Sequence, residues 1–128
     1  MKPIPRFEND FYHDGRGPEL QKVRWGRNGI ILRGFEYYNP DDEHTEGNLR
    51  YLRIDKLEVY SMAGEEVHGN ILANGKTTAS IFEVPKSKWL SSFNQSHLKH
   101  CEHYQIMFYD EIYDVICGEL LFGQGRLV

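Results

Sequence analysis

Residues 96 to 105 read SHLKHCEHYQ and place His97, His100, Cys101 and His103 within seven positions. Imidazole nitrogen and thiolate sulfur are ligands that zinc favours. One helical turn between His97 and Cys101 brings both within reach of a single ion, with His100 as a third donor. A structural zinc site wants four ligands at loop spacing, and no CxxC or HxxxH pair elsewhere in the chain completes one. His13, His44 and His68 are scattered. The same residues suit the last turn of an amphipathic helix, where imidazoles pack as half-polar groups and oppose the carbonyl end of the helix dipole. That second chemistry is the simpler one, so His97, His100 and Cys101 are weak metal candidates, and no metal or cofactor is expected.

Lys22, Arg24 and Arg33 form the second constellation. Asn28-Gly29 lies between β-rich runs at 20–27 and 30–38, and Asn-Gly tolerates the positive φ values of a two-residue hairpin. Such a turn sets Trp25 against Leu32 and Arg24 directly opposite Arg33, with Lys22 two residues along on the same face. Opposed like charges require an anion: a ligand phosphate, an acidic partner, or the protein's own Glu36, Asp41, Asp42 and Glu43. Internal or solvated pairing is the simplest of these. If the anion is external, Lys22, Arg24 and Arg33 grip it and Trp25, Phe35 and Tyr37 line its pocket.

The remaining candidates carry less. Asp41, Asp42, Glu43 and Glu46 lack the alternating ligand positions and central glycine of a calcium loop, so residues 39 to 48 read as a solvated loop. Asp110, Glu111 and Asp114 offer a carboxylate pair for acid and base work, but fall at a hairpin tip where exposure keeps acids ionised. Cys101 beside His100 and His103 resembles an activated thiolate only in sequence, since chain neighbours rarely share the geometry of nucleophile and base. No GxSxG, HExxH or GxxxxGK[ST] motif occurs.

The elements that must position these residues are mostly strands. A second Asn-Gly, at 74–75, lies between runs 66–73 and 76–84 and sets Val67 opposite Phe82 and Ile71 opposite Thr78 on one face. Residues 49–60 alternate, but the apolar phase moves from Leu52 and Ile54 to Leu57 and Val59, which predicts a bulge or bend near Asp55-Lys56. A third hairpin is predicted around Asp110-Glu111. Its strands are apolar at Ile106, Met107 and Phe108 and at Val115, Ile116 and Cys117, on both parities, as central strands covered on both sides require. The one helix expected spans residues 87–100 with Ser87 as its cap, and puts Trp89, Leu90, Phe93, His97, His100 and Cys101 in an arc of roughly 120°. Residues 1–18 read as an irregular arm packing Phe7, Phe11 and Tyr12 against a β-rich domain at 19–128. The fold expected is mainly β (α+β): a single antiparallel curved sheet or partly open barrel of about seven strands with one short helix.

The totals bound the function. At 128 residues with 40% hydrophobic content the chain supports one core. The net charge of −4 is uneven: residues 34–66 carry nine Asp/Glu against three Lys/Arg. An acidic molecule is a poor match to nucleic acid. No apolar run is long enough for a membrane span or a signal peptide, so the expectation is a cytoplasmic protein with free cysteines. Without a catalytic motif, the function expected is a small non-enzymatic interaction domain of immunity or inhibitor type. It would bind a basic protein partner through an acidic, tyrosine-rich surface that includes Tyr37, Tyr38, Asp41, Asp42 and Glu43. The alternative is a small-molecule or anion-binding β module using Lys22, Arg24 and Arg33.

Overall fold

The computed structural model describes residues 3–12, 17–25, 33–64 and 79–127. Strands β7 (Glu102–Met107) and β8 (Glu111–Cys117) are largely buried on both faces. Tyr104, Ile106, Tyr113, Val115 and Cys117 point into the main core, whereas His103, Gln105, Asp114 and Ile116 alternate with them and point the other way.

Among the described residues the chain forms nine strands in two antiparallel sheets rather than about seven in one sheet. With β1 (Ile4–Arg6), β5 (Val59–Gly64) and β6 (Ile81–Glu83), the first sheet runs β1-β6-β7-β8-β5; with β2 (Glu19–Arg24), β3 (Gly34–Tyr38), β4 (Arg50–Asp55) and β9 (Glu119–Gln124), the second runs β2-β3-β4-β9. The sheets are not closed into a barrel.

The single sheet expected from the sequence fails at a specific place. The stretch 49–60 does bend near Asp55-Lys56, but the bend carries the chain from one sheet to the other. Lys56 takes φ +56° there, and the partner ribbon turns beside it at Gly118, whose N–H donates to Asp55 O at 3.0 Å. A Cβ on Gly118 would stand 3.0 Å from Lys56 Cδ. Thus β4–β5 and β9–β8 form one long antiparallel ribbon, paired from Arg50↔Gln124 to Gly64↔Glu111 and shared between both sheets. Leu52, Ile54 and Leu57 enter the main core, while Val59 packs on the second cluster around Ile116.

Between the sheets lies an aromatic core. Phe35 of β3 packs 4.7 Å from Tyr113 and 4.8 Å from Phe108, ring centre to ring centre, and Phe11 sits 4.8 Å from Tyr37. Aromatic pairs at such tilted geometries add to the burial of their area. Phe7 and Phe11 pack as expected of the N-terminal segment, but Tyr12 is exposed and residues 4–6 form a sheet strand instead of irregular chain. The Asn28-Gly29 turn, the Asn74-Gly75 turn and the runs beside it at 66–73 and 76–78 lie outside the described residues.

The expected helix at 87–100 is two pieces. Helix α1 covers Lys88–Ser92 only, Asn94 adopts φ +47°, and a 3-10 turn follows at Ser96–His100. Ser87 caps α1 by accepting the Leu90 N–H at 3.0 Å. The two pieces lay Trp89, Leu90, Phe93 and Leu98 over the outer face of β7 and β8.

Core burial also governs ionisation. Desolvation pushes the Cys117 thiol up from 9.0 to about 12 and the Tyr104 phenol up from 10.0 to about 12. Both groups are acids that the fold keeps protonated, so the unfolded chain releases their protons first. Their contribution is complete below the unfolded pKa values and is lost as pH rises through them. The urea midpoint is therefore expected to hold between pH 7 and 8.5 and to fall by pH 10.5. A Cys117→Ala variant should show a smaller alkaline loss than the parent.

Candidate functional site

The residues singled out in the sequence are placed in different parts of the molecule. Strands β2 and β3 pair with Lys22↔Glu36, Val23↔Phe35 and Arg24↔Gly34, one position away from the register of a two-residue turn at 28–29, with an irregularity between Leu20 and Lys22. Arg24 therefore faces Gly34 instead of Arg33, and the opposed-charge argument dissolves. Gly34, at φ +151°, lies so close to β4 that a Cβ would be 2.0 Å from Leu52 O. Arg24 Nε lies 3.4 Å from Glu36 Oε2, and Arg33 donates to Leu57 O at 3.1 Å. Trp25 stacks on Tyr60 at 4.5 Å and packs edge-on against Phe35, so it joins the two sheets. Glu36 is 5% exposed and also accepts the Leu127 N–H at 2.8 Å. The protein's own carboxylate is the anion that Arg24 meets.

The tyrosine-rich acidic surface divides in the same way. Tyr37 is fully buried and donates to Asp10 O at 2.9 Å, so it is core and takes no part in a surface. Tyr38 stacks flat on His44 at 4.4 Å. Asp41 accepts from the Tyr12 hydroxyl at 3.3 Å, Asp42 lies 3.9 Å from Arg50 Nε, and Glu43 O accepts from Asn48 Nδ2 at 3.0 Å. Asp41 and Glu43 remain exposed.

Nor does the imidazole cluster gather. His97 is exposed and 3.4 Å from Glu58, His100 is exposed, and Cys101 is buried. The break at Asn94 shortens the helix and removes the common stripe on which the zinc reading depended. Among the described residues no group of three or more His, Cys, Asp or Glu side chains is placed to hold a metal. Burial pushes the Cys101 thiol up, helped by Glu58, which opposes thiolate chemistry there.

His103 is the member of the cluster with a built environment. It is 8% exposed, on the outer face of β7, with the Trp89 ring edge-on at 5.0 Å. Its Nδ1 lies 2.7 Å from Ser87 Oγ, and its Nε2 lies 2.7 Å from Asp114 Oδ1. Gln105 Nε2 donates to the same Asp114 oxygen at 3.2 Å. Cross-strand pairing explains the lower half of this chain: His103↔Ile116 and Gln105↔Asp114 put His103, Gln105 and Asp114 on one face at diagonal and direct spacing. Asp114 is therefore inside β8 rather than at a hairpin tip. The turn is Tyr109-Asp110, closed by Phe108 N–H to Glu111 O at 2.8 Å; a turn at Asp110-Glu111 would have put Asp114 opposite Met107.

Ser87 faces an open groove of about 720 Å³. Its walls include Val84, Lys86, Leu90, Leu98, Lys99 and Glu102, so apolar surface and both signs of charge meet there. Lys86, immediately before Ser87, adopts φ +51°, a left-handed conformation that a lysine holds at a cost of about 1 kcal/mol. Burial and the nearby Glu83 push the Glu102 carboxyl above its ordinary value.

Comparison with protein-family models, with curated proteins and with solved structures gave no match.

The network distinguishes the histidines sharply. His103→Ala strips a 16%-exposed Asp114 side chain of its 2.7 Å contact and should cost about 2–3 kcal/mol of unfolding free energy in urea titrations. His97→Ala and His100→Ala, at exposed positions, should each cost less than about 0.5 kcal/mol.

Proposed function

We propose that the protein binds a small organic anion in the groove between α1, the 3-10 turn and the strand ends at Val84 and Glu102. The observation that carries this reading is the pair of lysines on the groove wall. Lys86 and Lys99 both line it, and among the described residues neither makes an ion pair. A concavity of this volume lies in the range of small-molecule sites, about 300 to 1,000 Å³, where apolar walls supply affinity and a few polar groups set orientation. Leu90 and Leu98 supply the first, and Lys86, Lys99 and Ser87 the second. This takes up the alternative reading of the sequence, an anion-binding β module, in place of the interaction domain and on different residues: Arg24 and Arg33 are engaged with Glu36 and the Leu57 carbonyl.

Titration with short dicarboxylates and phosphate monoesters, followed by thermal shift, tests it. A ligand at a hundredfold excess over its Kd stabilises by about 2.7 kcal/mol, readily seen as a rise in Tm. That rise should disappear in Lys86→Ala/Lys99→Ala and persist in Arg24→Ala. The opposite pattern would return the site to β2.

A second reading, an interaction domain for a basic protein, is favoured by the ordered acidic loop. Contacts from Tyr12, Arg50 and Asn48 hold residues 41–43 in place while the Asp41 and Glu43 side chains stay exposed. Preorganised charge speeds encounter with an oppositely charged partner. Capture of a basic protein whose association rate falls at least about tenfold between 20 and 200 mM salt, and falls likewise in Asp41→Asn/Glu43→Gln, is the outcome expected of this reading. An association rate indifferent to salt would remove it.

A further inference from the structure

We infer that Ser87 is a nucleophile, activated by His103 and Asp114, that accepts the acyl group of a small carboxylic ester bound in the groove. The inference rests on the groove being a ligand site. Its geometry is independent of the lysines.

Three contacts define the arrangement. Asp114 Oδ1 holds the Nε2 side of the His103 ring at 2.7 Å, and a carboxylate there favours the tautomer with its proton on Nε2. Nδ1 is then a bare, basic nitrogen, 2.7 Å from Ser87 Oγ, and receives the hydroxyl proton. The Leu90 N–H donates to the same oxygen at 3.0 Å, occupying one lone pair and stabilising negative charge as it develops. One lone pair of Oγ is left, and Ser87 is a wall residue of the groove. A nucleophile, a base in hydrogen-bond contact with it and a third group orienting the base are the minimum parts of this chemistry. The imidazole is used in the opposite sense from the familiar Ser-His-Asp enzymes, whose serine meets Nε2, yet the proton inventory is the same.

The balanced reaction has two halves. Ser87 Oγ attacks the ester carbonyl carbon while its proton passes to His103 Nδ1, and the C–O bond to the alcohol breaks as that proton is returned to the leaving oxygen. A Ser87 acyl ester and a free alcohol result. Water then attacks the acyl carbon with His103 Nδ1 taking its proton, and the carboxylic acid leaves as Ser87 Oγ recovers a proton from His103. The ammonium groups of Lys86 and Lys99 select an ester that carries a second, anionic group. Asp114 and Gln105 touch no substrate and are positioning residues.

The network also has a purely structural role available, in which Ser87 only caps α1, and the test separates the two. Wild-type protein is treated with a fluorophosphonate and, separately, with the mono-p-nitrophenyl ester of succinic acid. The expected results are a covalent adduct on the peptide containing Ser87 and a burst of about one equivalent of p-nitrophenol followed by slower turnover. Ser87→Asn keeps a neutral capping side chain and should lose both adduct and burst. Asp114→Asn should slow acylation by about 100-fold with the apparent affinity for succinate unchanged, a split that a loss of packing alone does not produce. No Ser87 adduct on the wild type, or turnover surviving in Ser87→Asn, overturns the nucleophile. If succinate or a phosphate monoester still raises the Tm of the wild type in that case the groove reading stands by itself, and if neither does, both readings fall.

Discussion

The structure depends on one corner. Where Lys56 turns into the left-handed region beside Gly118, a ribbon of two long antiparallel segments bends and passes from the four-stranded to the five-stranded sheet without giving up its ladder: Gly118 N–H reaches Asp55 O, and Glu58 N–H reaches Ile116 O at 2.9 Å. A straight ribbon would leave one face of every strand against solvent. The bend folds the sheet on itself, so that Leu52, Ile54 and Leu120 from one half meet Val115, Cys117 and Tyr113 from the other. A side chain at 118 would press on the Lys56 stem, which would have to shift by a few tenths of an ångström to admit it.

That bend also creates the second, outer surface on which the candidate site stands. Once the inner faces of β7 and β8 are committed to the aromatic core, their outer faces need a cover, and α1 with its 3-10 turn is a thin one. Apolar contacts from Trp89, Leu90, Phe93 and Leu98 supply part of it. The rest is polar: His103, Gln105 and Asp114 are removed from most solvent and must satisfy each other, because a buried unpaired carboxylate or imidazole is costly. Ser87 closes the chain from above. The same residue thus caps the start of α1 and completes a hydrogen-bonded line running from the groove to the middle of β8, which ties the cover to the strands beneath it.

Much of the architecture is legible from residue periodicity. Alternation in β4 and the double-parity apolar runs of β7 and β8 announce strands and their coverage, Ser87 reads as a cap, and the phase change after Asp55 marks the corner. The candidate site was not legible. His97, His100 and Cys101 stand out because they are near neighbours in sequence, whereas the partners of His103 are 16 positions before it and 11 after it. The Asp114 contact was within reach: with the turn placed at Tyr109-Asp110, pairing alone sets Asp114 beside Gln105 and diagonal to His103. The arginine pair failed for a related reason, since a shift of one residue in β2 against β3 replaces Arg33 by Gly34 opposite Arg24.

By itself, then, the order of amino acids decided what is local: which segments are strands, where a helix begins, which stretch is acidic and where the chain must turn. These follow from side-chain period, capping hydroxyls and backbone sterics over a few bonds. Register, the division into two sheets and the meeting of Ser87 with His103 and Asp114 were decided only by the folded whole. Each is a comparison between alternative pairings that differ by one or two residues, and the energy that chooses among them comes from closing a core whose two halves are far apart in the chain.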